Sequence, residues 1–295
     1  MPSQNQPFAL RPATLDDLPE AVEMFNLASR AAIGRDEFTL EAYRNEWSDP
    51  RIDLAADTRL AQTPDGKIVG CVEVWNSAPY VRSWIWGLVH PELRGQGIGT
   101  TLMEWAEGRG RLALERAPAG TRVYLSAACL SHDQPAVDLL SDRGFRPVRH
   151  SLTMERDLAA PPPAPAWPAG ITVRTMRPGE ELAVYRAADE SFRDHWGHID
   201  LPEEEGFENF KHRALEDPAH DPSLWFLAVD GAEIAGVALC DPQRGAETDL
   251  GWVSTLGVRR PWRKQGVALA LLYHAFGALR ARGKRRVGLG WTGRA

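Results

Sequence analysis

Apolar positions recur at two spacings along this chain, and the same succession of spacings occurs twice. Ile98, Leu102, Trp105 and Ala106 fall three to four residues apart and share one helical face; Val267, Leu271, Leu272, Ala275 and Leu279 do the same. Each helix follows a strand-like run, residues 84–89 and 252–258, and each run follows a hairpin with an Asp-Gly turn, at Asp65-Gly66 and Asp230-Gly231. Each half also opens with a short strand ending at an arginine, Arg11 or Arg174, and then an acidic helix start. The offset between matched positions grows from 163 at Arg11/Arg174 to 169 at Arg94/Arg263, as in a duplication whose loops have changed. In the first half a strand at 123–127 follows. A helix with Val137, Leu139 and Leu140 comes next and ends at a glycine cap, Gly144; final strands are expected at 146–150 and 151–154. This order predicts an α/β (α+β) fold, each half a mixed, mostly antiparallel sheet flanked by helices.

The run from Ala159 to Ala169 is rich in proline, which fixes φ and removes backbone donors, so it reads as a semi-rigid linker. The expected domains are residues 1–158 and 170–295, joined by 159–169. A chain of 295 residues fits two cores. With 43% hydrophobic and 25% charged residues it has the composition of a soluble globular protein, and no run reaches the length of a membrane span. Met1–Pro7 has no basic and no apolar region of a signal peptide, so the cytoplasm is the expected compartment. Three scattered cysteines make neither a disulfide framework nor a zinc pattern, and no metal is expected. A net charge of −6 argues against nucleic acid as a partner.

The chemistry sits where each strand runs into each long helix. In Gly87-Leu88-Val89-His90-Pro91-Glu92-Leu93-Arg94-Gly95-Gln96-Gly97-Ile98-Gly99-Thr100, glycines allow close backbone approach to an anion, and the free N–H groups of the first helical turn point at it. No Gly-Lys-Ser/Thr follows, and the glycine spacing differs from that of dinucleotide folds. The second copy, Leu256-Gly257-Val258-Arg259-Arg260-Pro261-Trp262-Arg263-Lys264-Gln265-Gly266-Val267-Ala268-Leu269, keeps the same grammar. Arg94, Gly97 and Gly99, and again Arg263, Gly266 and Ala268, resemble the Gln/Arg-x-x-Gly-x-Gly/Ala loop of the GNAT (Gcn5-related) N-acetyltransferases. The tandem arrangement is similar to that of the mycothiol synthase type of two-domain acetyltransferase.

The resemblance implies acetyl transfer from acetyl-CoA, as co-substrate, to a primary amine on a small molecule or peptide terminus, by direct attack. It places pantetheine on Gly87, Leu88 and Val89, or on Leu256, Gly257 and Val258, and pyrophosphate on Gly95–Thr100, or on Lys264–Leu269. An alkyl amine arrives protonated and needs a base. Glu73 is the candidate in the first domain; Glu247 and Asp249, leading into the central strand, are the candidates in the second. Asp194, His195 and Trp196 follow the first helix of the second domain, where the family lines its acceptor site; helix-end packing is the alternative.

Two features depart from the family. Leu140 stands where a thiolate-protonating tyrosine is expected, and after residues 286–290 the sequence lacks the helix and two strands that would complete a second domain, which reads as C-terminally truncated with an uncovered sheet edge. The intact, complete first domain is therefore the expected CoA site. The alternatives are catalysis by the second domain, as the mycothiol synthase likeness implies, or an acyl-CoA-binding sensor or scaffold without turnover. A monomer or homodimer, without nucleic-acid or membrane partners, is expected.

Overall fold

A computed structural model describes residues 7–294; Met1–Gln6 and Ala295 lie outside the described residues. The chain divides into two compact units, Met1–Pro147 and Val148–Ala295.

The first unit runs β1 (Ala9–Arg11), α1 (Leu18–Ile33), α2 (Leu40–Trp47), the single turn α3 (Leu54–Asp57), β2 (Thr58–Gln62), β3 (Ile68–Asn76), β4 (Arg82–Val89), α4 (Ile98–Arg111), β5 (Tyr124–Ala127) and α5 (Gln134–Asp142). Its sheet has the order β1-β2-β3-β4-β5, antiparallel except for the parallel pair β4–β5. The Asp65-Gly66 turn closes β2 onto β3, with Gly66 at φ 92°, a conformation costly for any residue with a Cβ. Leu18, Ala21, Met24 and Phe25 of α1 bury one face of the sheet. Ile98, Leu102 and Ala106 of α4 bury the other against Val69, Val72 and Val74.

The second unit begins with β6 (Arg149–Asp157) and continues through β7 (Ile171–Thr175), α6 (Glu181–Phe192), α7 (Glu203–Phe210), β8 (Trp225–Asp230), β9 (Glu233–Asp241), β10 (Leu250–Val258), α8 (Val267–Ala281) and β11 (Arg286–Arg294). Its six-stranded sheet has the order β6-β11-β10-β9-β8-β7. Strands β7 to β11 repeat β1 to β5, with β10–β11 the parallel pair. Two sheets of mixed strands flanked by helices thus follow the predicted fold class.

Strand β6 departs from expectation. The predicted strands 146–150 and 151–154 are one strand, and it pairs antiparallel with β11 from Arg149↔Arg294 to Asp157↔Arg286. The edge expected to be open on the second sheet is therefore covered. The physical reason is strand length: β11 offers a long ladder, whereas β5 ends after Ala127. Ion pairs reinforce the choice, since Arg286 at the start of β11 meets Glu155 of β6 at 2.8 Å. The proline-rich run is consequently an internal connection of the second unit, from β6 to β7, and the unit boundary lies at Pro147/Val148 rather than at 158. Trp167 from this run packs its ring on His274 of α8 at 6.1 Å.

Amide hydrogen exchange by mass spectrometry tests this pairing. Peptides from β6 are expected to be protected to the same degree as those from β11. Loop-like exchange in β6 beside a protected β10–β11 pair would rule the pairing out.

Candidate functional site

In both sheets the parallel pair comes apart partway along. β4 pairs with β5 only from Arg82↔Tyr124 to Ile85↔Ala127, and β10 with β11 only from Leu250↔Arg286 to Val253↔Leu289. Beyond these points β4 and β10 keep their antiparallel partners, β3 and β9, and no strand among the described residues pairs with their other side. Backbone donors and acceptors there need partners, and an extended ligand with amides of its own supplies them. Gly87, Leu88 and Val89 lie on the first opened stretch, and Leu256, Gly257 and Val258 on the second.

Each opened strand leads into a helix whose N-terminus has no side-chain cap. Gly97 precedes α4 at φ 83° and Gly266 precedes α8 at φ 90°, and neither helix has an acidic residue in its first turn. The first-turn N–H groups and the positive end of the dipole are thus available to an anion. Two positions earlier the backbone is again left-handed, at Gly95 (φ 79°) and at Lys264 (φ 61°). The second loop holds this shape with a side chain that disfavours it, a strain of a kind concentrated at ligand sites. The loop arginines are anchored differently. Arg94 pairs with Asp133 at 3.0 Å. Arg263 donates to the Val258 carbonyl (2.9 Å), the Ser191 carbonyl (3.0 Å) and Asp194 (2.7 Å), which ties the loop to the end of α6.

The second unit has space beside its opened strand. The ladder between β9 and β10 shifts register between Val253 and Thr255, a bulge at Ser254 that re-aims the strand; the β3–β4 ladder runs without one. At the bulge lies a cavity of about 390 Å³. Trp225, Leu239, Ser254 and Thr255 form its sheet wall, and Asp241 stands at the end of β9. The opposite wall is one helical face of α7 and the π-helical turn Lys211–Leu215 that continues it, carrying Asn209, Phe210 and Arg213, with Asp217 just beyond. Burial pushes the Asp241 carboxyl up to about 7; the charge of Asp217 adds to the rise, and a hydrogen bond with Ser254 opposes it. A carboxylate in a cleft, titrating near neutrality, suits proton abstraction.

The corresponding place in the first unit is filled. The last pairs of the two hairpins, Gly70↔Val89 and Gly236↔Val258, put Glu73 opposite Leu239 in the repeat and Trp75 opposite Asp241. Glu73 is 1% exposed and Trp47 2%. Its oxygens accept from the indole N–H groups of Trp47 (2.7 Å) and Trp75 (3.1 Å). Phe25, Tyr43 and Trp86 close over them, with ring centroids 4.9 to 5.7 Å apart. Glu73 is therefore a core carboxylate, screened from any acceptor by aromatic rings.

The other predicted residues are engaged elsewhere. Asp249 and Glu247 meet Arg286 at 3.0 and 2.7 Å, and this guanidinium holds the Asp249 carboxyl below the usual range, the wrong direction for a base. Asp194 is bound by Arg260 and Arg263, His195 Nδ1 lies 3.1 Å from the Trp196 carbonyl, and Trp196 stacks under Arg149; none of the three lines the cavity. Helix-end packing describes them better than substrate contact. Asp241 carries no pattern of its own in the sequence, since it is a single acid at the end of the apolar run Ala235–Cys240, and Asn209 and Asp217 are ordinary polar residues of a helix and of the bend after it. Among the described residues no group of three or more His, Cys, Asp or Glu could hold a metal ion.

Glu73 gives a test of the buried arrangement. Burial raises its carboxyl from near 4.5 to about 7, against the pull of the Trp47 hydrogen bond. A raised folded-state value favours folding while the group is protonated, so that contribution is lost as pH rises from about 4.5 to about 7, worth roughly 3 kcal/mol. Glu73→Gln, which does not titrate, is expected to remove this fall from the melting profile between pH 5 and 8. An unchanged pH dependence in the variant would contradict the burial.

A family model described as "Acetyltransferase (GNAT) family" matches residues 21–145 and 182–294. A mycothiol acetyltransferase of Streptomyces bingchenggensis is 32% identical over 72% of this chain and 65% of its own length, so the chain spans somewhat under two thirds of that relative. A solved GCN5-related N-acetyltransferase from Sphaerobacter thermophilus, 32% identical, superposes with a TM-score of 0.81 over 99% of this chain and 89% of that one. A tandem GNAT protein from the clavulanic acid biosynthesis pathway, 18% identical, shares the fold with a TM-score of 0.69 over 96% of this chain and 90% of that one. With both repeats matched by the model, and with the uncapped helix and opened strand present in each, the chain belongs to the GNAT acetyltransferase family.

Proposed function

We propose that this protein transfers acetyl from acetyl-CoA to a primary amine, and that the transfer takes place in the second unit with Asp241 as the base. The observation that carries this reading is the cavity at the Ser254 bulge, which places a carboxyl of about 7 beside the opened stretch of β10. The site fits acetyl-CoA in kind. The opened edge at Leu256, Gly257 and Val258 offers backbone partners for pantetheine amides, and Lys264 to Leu269 offer uncapped N–H groups for the pyrophosphate. Acetyl-CoA supplies the activated acyl group. The chain holds that group at the point where β10 leaves β11, receives the acceptor ammonium in the cavity, and takes one proton on Asp241, directly or through one water. The free amine then forms the C–N bond as the C–S bond breaks, and CoA leaves as a thiolate that is protonated by the second proton the nitrogen gives up. A β10 backbone N–H facing the gap donates to the oxygen on which negative charge develops.

The first unit keeps the loop but not the cavity. We infer that it binds acyl-CoA without transferring the acyl group, because Trp47, Tyr43 and Trp86 occupy the acceptor side. The mycothiol acetyltransferase relatives support small-molecule acetylation as the class of reaction; the acceptor of this chain is a separate question.

Release of CoA over a panel of amines tests the reading. Asp241→Asn is expected to lower kcat/KM by ~100-fold or more. In the wild type kcat/KM should rise with pH through about 7, as Asp241 loses its proton. Gly266→Glu, which puts a side chain and a negative charge at the α8 anion site, should reduce turnover far more than Gly97→Glu. Turnover that survives Asp241→Asn, or that depends on Gly97 more than on Gly266, would overturn the assignment.

A further inference from the structure

The cavity wall opposite the sheet carries polar groups besides the proposed base. Asn209 stands on α7 and Asp217 in the bend just after the π-helical turn Lys211–Leu215, and both line the cavity. The Asn209 amide has no protein partner among the described residues. Asp217 accepts from the Ala219 N–H with one carboxylate oxygen (2.7 Å), and its other oxygen has no partner among them. The wall itself is held close: a Cβ on Gly206 would lie 1.9 Å from the Tyr185 hydroxyl of α6, so α7 approaches α6 as only glycine permits. Across the cavity Trp225 and Leu239 are apolar and fully packed.

We propose that Asn209 and Asp217 determine acceptor specificity, and that the acceptor carries, besides its reacting amine, a second hydrogen-bond donor, a hydroxyl or an ammonium. The inference rests on the cavity being the acceptor site. Its chemistry follows from the donor and acceptor inventory. A carboxylate oxygen accepts only, and the Asn209 amide, which both accepts and donates, can turn its carbonyl toward the same group, so the two together can receive a donor. Asp241 at the other end takes the amine that reacts. Asp217 repels a carboxylate brought close to it at the second position, and Arg213, on the same wall, is the one cation of the lining. A site built to hydrogen-bond a substrate group rejects the analogue lacking it far more strongly than an apolar pocket rejects a missing methylene, because the site's own polar atoms are left unpaired.

Four amines of one chain length separate the possibilities: propylamine, 3-amino-1-propanol, 1,3-diaminopropane and β-alanine, each assayed with acetyl-CoA on the full chain. In the wild type the amino alcohol or the diamine is expected to exceed propylamine in kcat/KM by about tenfold or more, with β-alanine poorest. Which of the two leads tells whether the donor is hydroxyl or ammonium. In Asp217→Asn, and in Asn209→Ala as a second variant, the ratio to propylamine should fall toward one, mainly through the acceptor KM, with the KM for acetyl-CoA little changed. Equal kcat/KM across the panel in an enzyme that Asp241→Asn inactivates would overturn this inference alone. So would variants that lower propylamine turnover as much as that of the bifunctional amines. Turnover of none of the four would overturn the acceptor reading of the cavity, and this inference with it.

Discussion

The site depends on a strand that is paired on one side only. β10 is an interior strand for its first four residues and, past Val253, an edge inside the sheet. Edges normally lie at the outside, because unpaired backbone groups need water or a partner. Here the edge opens where β11 continues outward to pair with β6, so the sheet goes on while a gap remains within it. An extended molecule with amides can fill that gap as a strand would. The helix that follows starts at the end of the same strand, so its uncapped N-terminus is aligned with the gap by chain connectivity. Strand pairing and anion binding become two ends of one linear site.

The two repeats share this frame and fill it differently. In the first, the positions around β3 are apolar or aromatic, and the one carboxyl, Glu73, is satisfied by two indoles. In the second, the carboxyl has moved two residues along the strand, to Asp241, and it lines a cavity beside Phe210 and Trp225. An unfilled volume beside a sheet is unfavourable for folding, since its lining loses dispersion contacts and transfer energy. Closing it over, as Trp47 and Tyr43 do, is the more stable solution. A cavity kept open beside a titratable group is the less stable one, and such sites are where function is paid for in stability.

Much of the frame was legible in the sequence, because glycine and hydrophobic period are strong signals. The Asp-Gly hairpins, the two long helices and both loops fall where their patterns put them, and the left-handed Gly97 and Gly266 account for the glycines of the motif. The partner of strand β6 was not legible. Leu152 and Met154 alternate as a strand should, but nothing in a local pattern says which sheet receives it, since that depends on the ladder length offered by β11, more than 130 residues away. Nor was the base legible. Ending at Asp241, β9 is longer than its apolar run, and the carboxyl differs from Asp249 only in what surrounds it.

That surrounding decides between the two aspartates. Asp249 sits beside Arg286 near solvent, and an adjacent guanidinium stabilises the charged form, leaving a weak base that is already ionised far below neutral pH. Asp241 has no guanidinium partner among the described residues, loses solvation through burial, and faces Asp217 in the same cavity, so all the large effects favour the proton. Only the Ser254 hydrogen bond works the other way. A carboxyl held near 7 is partly ionised at neutral pH yet basic enough to accept from an ammonium that acylation is making acidic. Beside it, the half-exposed Asn209 amide and the second Asp217 oxygen are open to partners that an occupant of the cavity brings. An occupant of the cavity that brings both an amine and a second donor therefore satisfies the proton chemistry and the polar wall together.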